Sequence, residues 1–243
     1  MSRTRLVLLP ADPGAAAPFD GSDPAPFLLL DADGRVLERG HLSVDGPVLS
    51  GARVRTVAIV PGTEVLVRWL TLPAGRPVQQ RAAALWALRE DLAVDPASMR
   101  VALGPDAVGS PRLVAAVDDA RLGEWTGRLA TLGVEGATLV PDCLVPDAPE
   151  EADRLRSLVF GPAVAVRGQG LAVSVQPDLV PVIAAGRTVE PIDSEAGVEA
   201  RLVATALAPP VDLGGGQTRA TSGEGWKAWR LAAGLALALL VSP

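Results

Sequence analysis

The chain of 243 residues has no tyrosine, one histidine, one cysteine and two methionines, and only 3% of it is aromatic. A lone cysteine, Cys143, excludes an intrachain disulfide and any cysteine-cluster metal site, and it suits a reducing compartment. A lone histidine, His41, excludes a histidine-based metal centre within one chain and leaves a Ser-His-Asp triad no other base to use. His41 sits in "RVLERGHLSVDG", alternating with apolar neighbours, and no G-x-S-x-G elbow accompanies it. It is read as an ordinary strand histidine. No G-x-x-x-x-G-K-[ST] loop occurs, and none of the 28 carboxylates pairs with another in a context that suggests general acid–base work. An excess of positive charge is missing as well: the net charge is −6 and the pI is about 4.9. Such a surface is a poor match for phosphate and argues against nucleic acid as a partner. The opening "RTRLVLLP" is too short in apolar residues for a signal sequence and reads as a first strand, so the bulk of the chain is expected in the cytoplasm.

What is present is a folded, core-forming composition, 49% apolar. "ADPGAAAPFDGSDPAP" is a Pro- and Gly-rich loop, and "FLLLDADGRVLERGHL" holds two β-prone runs around Asp33-Gly34, a hairpin signal. "TVAIVPG" and "VLVRWLTLP" are further strands. Residues 78–93, "VQQRAAALWALREDLA", carry helical periodicity, with Val78, Ala82, Leu85, Leu88 and Leu92 as the expected buried stripe. Arg89 falls inside that stripe by angle, which predicts a snorkelling stem. "RVALG" and "RLVAAVD" are strands. Asp118-Asp119 then caps a helix whose buried stripe is Leu122, Trp125, Leu129 and Leu132, closed by Gly133. Residues 63–133 thus read as a small α+β unit. "VEGATLVPDCLVP" adds a strand, "DAPEEADRL" a connection opening a short helix, and "PAVAVRGQGLAVSVQPDLVPVIAAG" a hairpin and more sheet. Ser194 caps a last helix with Val198, Leu202 and Ala206 on one side. From Pro209 the chain reads as a flexible linker, and no internal repeat is visible.

Two motifs invite a nucleotide-binding reading. "VDLGGGQT" (Asp212 to Thr218) imitates the phosphate loop of sugar kinases and actin-like ATPases, but two prolines precede it and a polar stretch follows, so a linker is preferred. "DADG" (31–34) could be an acidic phosphate-site corner, and a plain hairpin turn explains it as well. The tail "GEGWKAWRLAAGLALALLVSP" has Trp226 and Trp229 suited to a membrane interface, and Lys227 and Arg230 suited to its cytoplasmic side. Leu231 to Val241 supplies eleven apolar residues, whereas a span needs about 20 at roughly 1.5 Å each. The tail is read as the beginning of an N-in anchor, too short as written to cross alone.

The run from "VAIVPGTEVLVRWLTLPAGRPVQQRAAALWALREDLAVDPASMRVALG" through "RLVAAVDDARLGEWTGRLATLGVEGATLVPDCLVP" resembles the cytoplasmic region of type II secretion system protein L (GspL). The closing "WKAWRLAAGLALALL" resembles that family's entry into its transmembrane helix. The resemblance covers residues 56–146 well, 1–55 and 150–207 by order of elements, and the tail by position. It implies a degenerate actin-like (ribonuclease H-like) ATPase-superfamily fold with an inserted α+β subdomain, related in architecture to PilM and FtsA. The implied division is 1–62 first actin-like subdomain, 63–135 insert, 136–208 second actin-like subdomain, 209–225 linker and 226–243 start of the anchor. It further implies a non-enzymatic inner-membrane adaptor, single-pass with a cytoplasmic N-terminal domain. Such an adaptor has no cofactor, recruits the secretion ATPase GspE through that enzyme's N-terminal domain, and pairs with GspM and with itself. The alternatives are a nucleotide-binding actin-like ATPase and a PilM-like type IV pilus scaffold. In an active relative the second phosphate loop falls in the strand pair at 163–175, where this chain has Gly168 and Gly170 but neither acid nor hydroxyl. The acidic chain also predicts a basic, salt-sensitive contact surface on the ATPase. Departures from the family are "ALRED" where it often shows Leu-Glu and another acid, Arg100 near a common family histidine, and the periplasmic domain that the family carries and this sequence does not reach.

Overall fold

The computed structural model describes residues 3–9, 23–44, 54–92, 95–105 and 110–215. Central strands come first: β1 (Arg3–Leu8) and β4 (Val54–Val60) end in apolar runs, Leu6–Leu8 and Val57–Val60, and both are buried on both faces. They pair in parallel, with Leu6 opposite Val57. β2 (Ala25–Leu30) lies antiparallel on the other side of β1, and β3 (Val36–Leu42) is antiparallel to β2. β8 (Thr138–Pro141) runs parallel to β4, which completes a five-stranded sheet in the order β3-β2-β1-β4-β8. Among the described residues β3 is an edge strand, blunted by exposed Glu38 and Arg39 and by a register shift in its partner at Leu29/Leu30. His41 sits on it, exposed, as a strand residue.

The second sheet repeats this plan. β9 (Arg154–Phe160), β10 (Ala163–Gly168) and β11 (Leu171–Val175) form an antiparallel meander, and β12 (Thr188–Pro191) pairs in parallel with β9. Its order, β11-β10-β9-β12, matches β3-β2-β1-β4 of the first sheet strand for strand. The repeat resides in connectivity and not in residue identity, which is why it is invisible in the sequence. Two such sheets, with a helix-bearing insert in the first, are the arrangement expected of an actin-like fold.

The insert begins after β4. β5 (Val65–Leu70), β6 (Met99–Leu103) and β7 (Arg112–Asp118) make an antiparallel sheet in the order β5-β7-β6. Alternation along the strands divides its faces. Val65, Val67, Ala102, Ala115 and Val117 join the main core, while Val101, Val114 and Ala116 pack on α1 (Pro77–Leu88). α2 (Asp119–Thr131) follows with the expected cap, Asp118 accepting from the Ala120 amide at 2.8 Å. It also has the expected stripe, since Leu122, Trp125, Leu129 and Leu132 are all buried. Gly133 ends it at φ +73°, a conformation glycine adopts without penalty. α4 (Glu195–Leu207), capped by Ser194, lies against the first sheet, where Arg39 meets Glu199 at 2.6 Å and Arg55 caps the carbonyls of Ala206 and Leu207.

Three expectations need correction. Of the expected α1 stripe Leu88 is buried and Leu85 and Leu92 pack beside it, but Val78 and Ala82 are exposed and Ala84 is buried. The helix is rotated because Gln80 turns inward, accepting from Arg112 at 2.7 Å and donating to the Pro73 carbonyl at 3.3 Å. Residues 177–185, expected as sheet, instead form a single 3-10 turn and the short helix α3 (Val180–Ala184), because Pro177 and Pro181 cannot donate to a ladder. The acidic stretch before β9 forms turns and bends, with no helix.

Candidate functional site

Ligands of open α/β sheets gather beyond the carboxyl ends of the parallel strands. Here that position lies between the two repeats and holds a cavity of about 190 Å³. Leu8 and Leu9 come from the end of β1, Ile59 from β4, Pro26 from the start of β2, and Phe160 and Gly161 from the β9–β10 turn. The one charged residue in the lining is Asp142, in the turn that follows β8. The repeat also locates the counterpart of the β1–β2 connection. It is the β9–β10 turn, Phe160-Gly161-Pro162-Ala163, whereas Gly168 and Gly170 belong to the next hairpin. The β9–β10 turn carries no acid and no hydroxyl.

Asp142 is 4% exposed. Its Oδ1 accepts the Gly62 amide at 3.0 Å and the hydroxyl of Ser174, so one carboxylate ties the turn after β4 to β11 of the second sheet. The Cys143 amide supplies a further donor. Burial pushes the carboxyl up to about 6, and the three donors only partly offset that. Cys143 beside it is fully buried, and burial raises its thiol well above the ordinary range. Close by, the Arg167 guanidinium of β10 stacks over the Trp69 ring of β5 at 4.5 Å from the centroid and donates to the Leu171 carbonyl at 2.9 Å. Burial lowers the Arg167 pKa from its usual value, while the neighbouring Cys143 acts in the opposite direction. Gly62, Asp142, Ser174, Trp69 and Arg167 together form a joint at which all three sheets meet. Truncating Arg167 to alanine removes the stack and that hydrogen bond. The expected loss is about 2 kcal/mol of stability, seen as a lower urea midpoint, and Arg167→Lys restores only part of it because an ammonium cannot stack as a planar fork does.

Among the described residues, the chemistry of this lining does not suit a nucleoside triphosphate. Phosphates need backbone or cationic donors and a metal held by several oxygens. The cavity instead presents leucine, isoleucine, proline and phenylalanine, with a carboxylate whose Oδ1 is already engaged. Among the described residues no three His, Cys, Asp or Glu side chains converge as a metal site.

The motifs singled out in the sequence lie elsewhere. Asp31 closes the β2–β3 turn, its Oδ1 accepting the amides of Asp33 and Arg35 at 2.9 Å each. That turn is at the opposite end of β2 from the cavity, so "DADG" is a hairpin turn and not a phosphate corner. Asp212 of "VDLGGG" accepts the Leu139 and Gly214 amides at 3.0 Å each, and the Leu213 amide donates back to the Leu139 carbonyl at 2.9 Å. Val211 and Leu213 are buried, so this segment is docked against β8 where a free linker was expected. Trp226, Lys227, Trp229 and Arg230 lie outside the described residues. Within the described residues no helix is long and apolar enough to cross a membrane.

Comparison with known proteins places these features. Residues 35–214 match the sequence model of the type II secretion system (T2SS), protein L, family. Among solved structures, the cytoplasmic domain of EpsL, an inner-membrane component of the type II secretion system of Vibrio cholerae, superposes with a TM-score of 0.61 at 15% identity, covering 84% of this chain and 95% of that one. A protein of actin-like ATPase fold and unknown function from Bacteroides thetaiotaomicron gives a TM-score of 0.47 at 10% identity, covering 84% of this chain and 88% of that one. The PilM–PilN type IV pilus biogenesis complex gives 0.47 at 10% identity, covering 81% and 68%. No curated protein matches the sequence.

Proposed function

The chain belongs to the type II secretion system protein L family, and from that premise we propose that it is a non-enzymatic inner-membrane adaptor. In this reading the two-lobed domain lies on the cytoplasmic side and recruits the secretion ATPase GspE through that enzyme's N-terminal domain. GspM and a second copy of the chain are its other partners. Trp226, Lys227, Trp229 and Arg230 mark the membrane entry of a single C-terminal anchor.

The observation that carries the proposal is the family match running through both lobes and the insert, joined to a cleft lined by apolar side chains where an active relative would cradle phosphate. With Asp142 committed to Gly62 and Ser174, the cleft is a joint that fixes the relative position of the sheets. A rigid two-lobed body suits a scaffold, because preorganised surfaces lose less entropy on binding.

The test is co-purification. The full chain, extracted from membranes in mild detergent, is mixed at about 10 µM with the N-terminal domain of the secretion ATPase and passed over a sizing column. Co-elution is expected. Separate elution at that concentration overturns the adaptor reading.

A further inference from the structure

The cavity between the two repeats is ill suited to a triphosphate, and the same lining suits a different ligand. Among the described residues its wall is Leu8, Leu9, Pro26, Ile59 and Phe160, with Asp142 as the one charged group. Its volume of about 190 Å³ exceeds the roughly 150 Å³ at which a cavity walled by leucine, isoleucine and phenylalanine takes up benzene. One aromatic ring with a small substituent therefore fits. Water fits poorly, because an ordered water needs about two to four polar partners and the side chains of this wall offer one. Leu8 and Pro26 also line a second hollow of about 390 Å³ between β2 and α4, so the cavity has an approach from that side.

Asp142 decides what the ring must carry. An ionised carboxyl has about four acceptor positions. The amides of Gly62 and Cys143 and the hydroxyl of Ser174 take three of them. One position is left for a donor from the ligand. An anion would meet the negative charge, and an ammonium would shed its hydration for that single partner, the costly case of a buried ion. A neutral hydroxyl loses far less on entry and gains a charge-assisted bond. The wall also draws on both repeats, Ile59 from β4 and Phe160 from β9, so one ring touches both.

We infer that this cavity is a binding site for a small neutral molecule, a single apolar ring bearing one hydroxyl that donates to Asp142, seated between the two repeats. The inference stands apart from the adaptor reading, and its test involves no partner protein.

The chain contains three isoleucines, Ile59, Ile183 and Ile192, of which only Ile59 lines the cavity. Their δ1-methyl groups, isotope-labelled for NMR in the full chain in detergent, report on the site and supply two internal controls. Ligand that only dissolves in the micelle does not move Ile59 alone. The titrants, at about pH 7.5, are p-cresol, toluene and p-toluate, which present one ring with a hydroxyl, no donor and a negative charge. p-Cresol is expected to move the Ile59 signal saturably, with a Kd of about 1 mM, while Ile183 and Ile192 hold still. Toluene is expected to bind about tenfold more weakly, the effect of one hydrogen bond to a charged group, and p-toluate not at all. Leu8→Phe fills the cavity from a half-buried position and is expected to abolish the p-cresol shift with the thermal midpoint unchanged. Phe160→Trp, also half-buried, does the same from the second repeat should the first variant fold poorly. An Ile59 signal that p-cresol leaves unmoved up to about 10 mM overturns the site. A shift that the filled variants retain places the ligand elsewhere and overturns it too. Toluene or p-toluate that binds as tightly as p-cresol overturns the ligand class.

Discussion

Replacing Gly62 with alanine is expected to destabilise the protein by about 3 kcal/mol, the upper end for forcing an atom into a filled interior. A Cβ at this position would stand 2.3 Å from Asp142 Oδ1, 2.8 Å from Ser174 Oγ and 3.2 Å from the Cys143 amide nitrogen. None of these can retreat cheaply. The carboxylate is held by the Gly62 amide itself, so moving it away breaks a buried hydrogen bond, and the backbone of Cys143 is fixed by the turn after β8. A chain of this size loses roughly 2–4 °C of thermal midpoint per kcal/mol, so the midpoint falls by roughly 10 °C. An alanine variant that melts within 2 °C of wild type, a margin of about 1 kcal/mol, contradicts the close approach.

Asp142 provides the second large effect, one with a defined pH window. Its native carboxyl is raised to about 6 from an ordinary value of 3.8. Between those values the native state holds a proton that the unfolded chain has released. Stability is therefore fully present below about pH 4 and is lost as the pH rises through about 6, a total of about 3 kcal/mol by linkage. Asp142→Asn keeps a neutral acceptor for Gly62 and Ser174 and has no proton to lose. Urea unfolding of both proteins at intervals from pH 4 to 7.5 isolates the effect, because every other titrating group cancels in the difference. The stability of wild type relative to the asparagine variant is expected to decline by about 3 kcal/mol across the window. A difference independent of pH shows that the carboxylate is hydrated and that the joint is not sealed.

These residues show where sequence reading stops. Periodicity was enough for α2, whose stripe of Leu122, Trp125, Leu129 and Leu132 and whose Asp118 and Gly133 ends all appear as expected, because each signal is local. For α1 the same reasoning was right only in part: Leu88 is buried and Leu85 and Leu92 pack beside it, but Val78 and Ala82 are exposed. Ala84 is as apolar as Ala82, so the periodicity alone does not separate them, and the polar Gln80 is held inward by Arg112, 32 positions away. The proline pair at 177 and 181 was a local signal that the β-prone valines around it outweighed in the sequence reading. The joint had no local signal at all: Asp142 meets Gly62 across 80 positions and Ser174 across 32. Likewise the repeat of the two sheets is a repeat of strand order, which only paired registers reveal. The family resemblance carried the fold, while the residues that lock its cleft became visible only in three dimensions.

The proposed reading as a docking platform and not an enzyme rests on that cleft, and one titration tests it directly. Mg-ATP is injected into the full chain in detergent at physiological salt and the heat is followed to about 1 mM nucleotide. The account predicts no saturable heat over that range, since Leu8, Leu9, Ile59 and Phe160 occupy the cavity wall and Asp142 opposes an anion. A saturable isotherm with a micromolar dissociation constant, abolished by substitutions lining this cavity, would contradict it.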